Sequence, residues 1–167
     1  YLEEGYKRML TYQTPEGGFS YWGTNPDASL TAYAIRFLSD AEDFVEVDEK
    51  VVERLKDWLL SAQLPNGSWK DDSFITSYVV RALSIEGGAD SATKKSVQRG
   101  LEFLKKSIAT TNDNYLVANT AIAAHKIGDN ETSKALASKL MTSARTGDKG
   151  TFWPANQTAF NGWGDTA

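Results

Sequence analysis

The sequence predicts an all-α fold, an α/α toroid seen as an incomplete ring of outer–inner helix pairs, about seven helices in all. Three observations point there. Amphipathic stretches with one apolar stripe alternate strictly with stretches that are apolar nearly all round. Gly-, Asn-, Asp- and Pro-rich loops separate them. A Gly/aromatic turn then recurs between an outer and an inner stretch.

The striped stretches come first, third, fifth and seventh. Tyr1–Gln13 carries Leu2, Tyr6, Met9 and Leu10; Glu49–Gln63 carries Val51, Val52, Leu55, Trp58, Leu59 and Ala62. Ala92–Ile108 carries Val97, Leu101, Leu104 and Ile108, and the last stretch carries Leu136, Leu140 and Met141. Such spacing marks a helix with one face on a core. The stretches between are of another kind. Ser29–Leu38, Ser73–Ile85 and Asn114–Ile127 place Leu30, Tyr33, Phe37, Tyr78, Val79, Val117 and Ile122 around the whole circumference. A helix apolar on every side must be covered on every side. The order therefore predicts concentric layers, with inner helices wrapped by an outer ring.

Boundary signals agree. Asn25-Pro26 offers a cap followed by Pro at the first helical position, and Asp48, Asp72, Asp113 and Asn130 each precede a periodic run. Gly87-Gly88, Gly128 and Gly147 stand where helices should stop. The repeat is explicit: Gln13-x-Pro15-x-Gly17-x-Phe19 returns as Gln63-x-Pro65-x-Gly67-x-Trp69. Thr31, Tyr33, Arg36, Leu38 and Ser39 are answered by Thr76, Tyr78, Arg81, Leu83 and Ser84, and Gly150-Thr151-Phe152-Trp153 is a degenerate third copy. Self-similarity at this scale signals stacked helical units. Gly164-Asp165-Thr166-Ala167 falls where a further inner helix should begin, so residues 1–167 read as a single partial toroid domain of a larger multidomain protein.

Composition narrows the function classes. With 167 residues, 41% hydrophobic and 24% charged, the chain can bury a core. A net charge of −4 with thinly spread Lys and Arg speaks against nucleic acid as a partner. No apolar run approaches the roughly 20 residues that span a bilayer, so membrane insertion is not expected. There are no cysteines, which removes disulfides, thiolate metal sites and Cys nucleophiles from these residues.

Chemistry is sparse, and no cofactor is expected. His125, the single histidine, falls near the end of the sixth helix and reads as a partly buried residue favoured by the helix dipole. Asp71-Asp72 could act as paired acids at a ring mouth, or Asp72 could simply cap the next helix. The aromatic turns, Phe19-Ser20-Tyr21-Trp22, Trp69, Phe152-Trp153 and Trp163, either line a ligand cavity or wedge between helix pairs. Trp22, Trp69, Asp71, Asp72, Trp153 and Trp163 thus form the candidate turn surface, and no residue is assigned a catalytic or metal-binding role.

At these turns the chain resembles a known family. Gly5-Tyr6-Lys7-Arg8-Met9-Leu10-Thr11-Tyr12-Gln13, Gly17-Gly18-Phe19-Ser20-Tyr21-Trp22 and Leu30-Thr31-Ala32-Tyr33 look like the thioester domain of the alpha-2-macroglobulin and complement family, especially its bacterial members. The likeness continues through Val47-Asp48, Trp58-Leu59-Leu60, Gln63-Leu64-Pro65-Asn66-Gly67 and Thr76-Ser77-Tyr78-Val79, and resumes at Trp163-Gly164-Asp165. The resemblance implies a bait-type protease inhibitor whose internal Cys–Gln thioester acylates the attacking protease. It also implies proteases and the other domains of the same polypeptide as partners, a periplasmic or extracellular, surface-anchored location, and no enzymatic activity. The family's Gly-Cys-(Gly/Pro)-Glu-Gln motif would lie upstream of Tyr1. Its acyl-transfer His or Asn sits in an insertion that the run from Trp69 to Phe74 lacks, so that role passes to no residue here. Two competing readings stay open. One is a terpene cyclase or prenyltransferase-like toroid enzyme, suggested by the Gln63/Trp69 turn but without an Asp-x-Asp-Asp motif. The other is a non-catalytic helical scaffold.

Overall fold

The computed structural model describes residues 1–85, 90–111, 113–148 and 150–154. The expected boundaries Gly87-Gly88, the Gly164–Ala167 segment and Trp163 lie outside them. Among the described residues seven helices follow in order: α1 (Leu2–Leu10), α2 (Ala28–Ala41), α3 (Glu49–Ser61), α4 (Ser73–Leu83), α5 (Ser91–Thr110), α6 (Asn114–Lys126) and α7 (Asn130–Ser143). A small antiparallel hairpin, β1 (Arg145–Gly147) and β2 (Gly150–Phe152), follows α7.

Local chemistry sets these starts. Each helix from α2 onward begins on an aspartate whose carboxylate accepts a hydrogen bond from an amide of its first turn. The caps are Asp27, Asp48, Asp72, Asp90, Asp113 and Asp129. A capping carboxylate satisfies an otherwise orphaned N–H and complements the positive helix end. Two expectations are corrected. Asp27, not Asn25-Pro26, caps α2, because Asn25 is held left-handed at φ 54°. Asp129 rather than Asn130 caps α7. Gly128, at φ 86°, ends α6 as expected, but α7 stops at Ser143, and Gly147 lies in the hairpin.

The layering is real. α4 packs between α2 and α6, while α3 and α5 cover this row from outside and α7 packs on α6. One continuous core joins Ile35 and Leu38 of α2, Leu55 and Leu59 of α3, Val79 and Val80 of α4, Leu101 and Leu104 of α5, and Leu116 of α6. The inner row is not wrapped on every side, however. Tyr33 and Ile122 are exposed on α2 and α6. The outermost stripes are also shallower than their spacing predicts, since α7 has no fully buried residue and Met141 is 70% exposed.

Candidate functional site

The two Gly/aromatic turns fasten outer helix to inner helix by the same contacts. The Phe19 amide donates to Thr31 Oγ1 at 2.9 Å, and the Trp69 amide donates to Thr76 Oγ1 at 2.9 Å. Both aromatic rings are fully buried, and the Trp69 indole Nε1 donates to the Leu59 carbonyl at 2.8 Å. Phe19 and Trp69 are therefore wedges of the core, and neither lines a cavity.

The residues after each wedge do something different. Ser20, Tyr21, Trp22, Thr24, Asn25 and Asp27 of the first turn meet Ser29 of α2, Phe74, Ile75 and Tyr78 of α4, and Tyr115 of α6 around one hollow of about 530 Å³. Because this hollow touches the first turns of all three inner helices, those helices run the same way, with their N-terminal ends at one mouth. Four aromatic rings and Phe74 supply an apolar wall, while Ser20, Thr24, Asn25 and Asp27 supply a polar rim. That mixture characterises small-ligand or reactive-group sites.

The mouth is held in shape at conformational expense. Asn25, Lys70 and Asp71 are non-glycine residues with positive φ, at 54°, 57° and 53°. Left-handed backbone at such residues persists only where surrounding contacts over-determine it. Here the Lys70 ammonium pairs with the Asp27 carboxylate, tying the second turn to the first. Burial alone would raise the Asp27 carboxyl. Lys70 and the Leu30 amide outweigh burial and hold it below the ordinary carboxylate range. Burial raises the Tyr78 phenol against the pull of the Arg36 guanidinium, which lies 5.4 Å over its ring.

The predicted turn surface divides accordingly. Trp22 is 89% exposed at the hollow's rim, and Asp71 is exposed with Oδ1 accepting from Asn66 Nδ2 at 2.7 Å. Asp72 caps α4 through the Ile75 amide at 2.8 Å, which favours its structural reading over a paired acid. Trp153 follows β2 and lies against α7, its Nε1 donating to the Leu140 carbonyl at 2.7 Å. Trp163 is outside the described residues. His125 is exposed near the C-terminal end of α6, away from the mouth, and not partly buried as expected. Among the described residues no cluster of His, Cys, Asp or Glu could hold a metal ion. Sequence reasoning missed Asp27, Tyr78 and Tyr115. Asp27 was legible as the residue three before the Leu30 amide it caps, whereas the two tyrosines sit in stretches that read as core.

Comparison with known proteins settles the family. The family model described as the A-macroglobulin TED domain matches residues 1–75 and 70–163. The chain belongs to this family. It is 25% identical to thioester-containing protein 1 allele R1 of Anopheles gambiae, an alignment covering 95% of this chain and 14% of that protein. It is also 25% identical to ovostatin of Gallus gallus, over 94% of this chain and 12% of the relative. In fold it matches the native conformation of E. coli alpha-2-macroglobulin with a TM-score of 0.62 and 22% identity, over 87% of this chain and 10% of that one. The chain thus spans only about a seventh or less of these relatives, and as a TED-family chain it represents their helical toroid portion. No helix among its described residues is long and apolar enough to cross a membrane.

Proposed function

We propose that residues 1–167 are part of the thioester domain of a bacterial macroglobulin-type protease inhibitor, one partial toroid within a larger multidomain polypeptide. Its partners are proteases, engaged by the whole molecule, and the other domains of the same polypeptide. It works outside the cytoplasm, periplasmic or extracellular and surface-anchored, and does no catalysis of its own. One observation carries the reading: an aromatic hollow at the shared N-terminal mouth of the inner helices, in a chain of this family.

The chemistry suits that geometry. A thioester carbonyl in water hydrolyses, while one laid against the half-buried rings of Phe74, Tyr78 and Tyr115 is partly shielded from water. When a conformational change uncovers it, a protease amine attacks the acyl carbon. The amide C–N bond forms, the C–S bond breaks, and the thiolate takes up a proton. The residues described here supply the wall and rim, and the acyl group comes from elsewhere in the polypeptide.

Methylamine treatment of the full-length protein tests this. One new thiol per chain and loss of protease capture support the reading. In addition, Trp22→Ala and Tyr78→Ala should speed spontaneous thiol release several-fold by admitting water. Turnover of an isoprenoid substrate by the intact protein, with no thiol released, would favour the cyclase reading. Binding without either reaction would favour a scaffold.

A further inference from the structure

The three Gly/aromatic turns differ at the residue before the turn glycine. Glu16 precedes Gly17 and Lys149 precedes Gly150, but Asn66 precedes Gly67, so the second turn alone places an amide side chain there. An Asn–Gly pair can cyclise on itself. The glycine has no Cβ to keep its backbone nitrogen from the preceding side-chain carbonyl, and attack there closes a five-membered imide.

At this turn the electrophile is ready and the nucleophile is restrained. Asn66 is exposed, and its Oδ1 accepts from the Ser68 amide at 3.0 Å and from Ser68 Oγ at 2.7 Å. Both donors face the oxygen on which charge builds when Cγ is attacked. Nδ2 donates to Asp71 Oδ1 at 2.7 Å, which fixes the amide's orientation. The Gly67 amide is turned elsewhere. It donates to the Leu64 carbonyl at 2.9 Å, and the same carbonyl accepts from Arg99 Nη2 at 2.8 Å. Gln63 Nε2 donates to the Gly67 carbonyl and to the Ser96 carbonyl of α5, both at 2.9 Å, and Ser96 Oγ donates to Gln63 Oε1 at 2.9 Å. Gly67 is buried at a φ of 90°, and a Cβ built on it would collide with the Arg99 carbonyl oxygen. The Gly67 nitrogen therefore has no room to swing onto Asn66 Cγ while α5 stays seated.

We infer that Asn66-Gly67 is a deamidation site gated by the seating of α5 on the second turn. When the turn lifts from α5, the Gly67 nitrogen gives its proton to water and bonds to Asn66 Cγ. The Cγ–Nδ2 bond breaks, and the side-chain nitrogen takes up a proton and leaves as ammonia. Water then opens the imide. Cleavage at Cγ leaves an aspartate at position 66, and cleavage at the main-chain carbonyl leaves isoaspartate, with one more carbon in the backbone. Neither product suits the closed turn. A carboxylate then faces Asp71 where a donor stood, and isoaspartate carries Gly67 out of register with Arg99. Lys70 and Asp71 hold left-handed backbone in this same turn, and Lys70 pairs with Asp27 at the aromatic hollow, so the conversion loosens the mouth irreversibly. The inference is independent of the inhibitor role.

Peptide mapping by mass spectrometry, with isoaspartate resolved chromatographically, follows Asn66 in the intact chain and in an end-blocked peptide of residues Ser61–Asp72 under mildly alkaline conditions. The peptide should convert, and the folded chain about tenfold or more slowly, because only the opened turn reacts. Arg99→Ala, checked for native helicity by circular dichroism, should raise the folded rate about tenfold, the worth of one charge-assisted hydrogen bond. Arg54→Ala, which loses the corresponding bond from α3 to the Thr14 carbonyl of the first turn, should leave it unchanged. Should Arg99→Ala not fold, the unaltered chain in urea below its transition gives the same reading: conversion at Asn66 should quicken before the helical signal falls. The Asn66→Asp chain should unfold at lower urea, and adding Asp71→Asn should recover the loss by restoring a donor–acceptor pair. A folded chain converting at the peptide's rate, no conversion in the peptide, no acceleration by Arg99→Ala or by low urea, equal acceleration by Arg54→Ala, or an unchanged midpoint in Asn66→Asp would each overturn the inference.

Discussion

Gly67→Ala and Gly150→Ala form a matched pair that isolates the close contact of the second turn with α5, where Gln63 Nε2 donates to the Ser96 carbonyl and Arg99 Nη2 to the Leu64 carbonyl. Both positions have positive φ, so a methyl group at either costs about 1–2 kcal/mol for left-handed backbone. At Gly150 the methyl meets no described atom within 4 Å, so that is the whole cost. At Gly67 it also collides with the Arg99 carbonyl, which cannot yield without moving α5 off the turn. Overpacking of this kind adds about 1–3 kcal/mol, for a total near 2–5. Urea unfolding followed at 222 nm measures both, provided the transitions are two-state with matching slopes. If Gly67→Ala falls within about 0.5 kcal/mol of Gly150→Ala, the backbone contact contributes nothing and the reasoning fails.

Further outcomes follow from other contacts. Trp69→Ala should cost about 3–5 kcal/mol by leaving a cavity under α5, and Trp69→Phe distinctly less, since it loses the Leu59 hydrogen bond but keeps most of the volume. Asp72→Ala should cost about 1 kcal/mol for a lost cap, while the adjacent Asp71→Ala should change stability by less than about 0.5. Stability should decline on acidification. Burial works against Asp27, but Lys70 and the Leu30 amide lower its carboxyl. Asp90 is lowered by its bonds to Thr93, and Asp129 by Thr132 and Lys105. A carboxyl lowered by folding contributes fully above its ordinary value, and that contribution is lost as pH falls through the folded value. A pH series of urea midpoints should therefore be flat near neutrality and fall below about pH 4. Asp27→Asn should flatten that fall.

Much of the layered architecture was legible because helix periodicity reports which faces meet a core. Val97, Leu101, Leu104 and Ile108 declare one face, and the surround of Ser73–Ile85 declares burial between neighbours. Asp48, Asp72 and Asp113 proved to be caps as expected, and the Asn130 signal fell one residue beyond the true cap, Asp129. Asn25-Pro26 misled because the residue-type rule does not reveal a left-handed turn ahead of the true cap. The hairpin after α7 escaped notice because three-residue strands carry too little alternation to register. The candidate site was less legible than the fold. Trp22 stood out as an odd loop aromatic, but its partners Phe74 and Tyr78 of α4 and Tyr115 of α6 come from two separate helices and read as interior residues. The ties of Arg54 and Arg99 to the first and second turns were invisible for another reason: their acceptors, the Thr14 and Leu64 carbonyls, leave no trace in residue type.

Native-state hydrogen exchange tests the layered arrangement most directly. α4, flanked by α2 and α6 and covered by α5, should hold the slowest amides, exchanging only through global opening. α7, with no fully buried residue, should exchange orders of magnitude faster. Amides of Val79 to Leu83 exchanging as quickly as those of Lys134 to Met141 would contradict an inner row enclosed by an outer one.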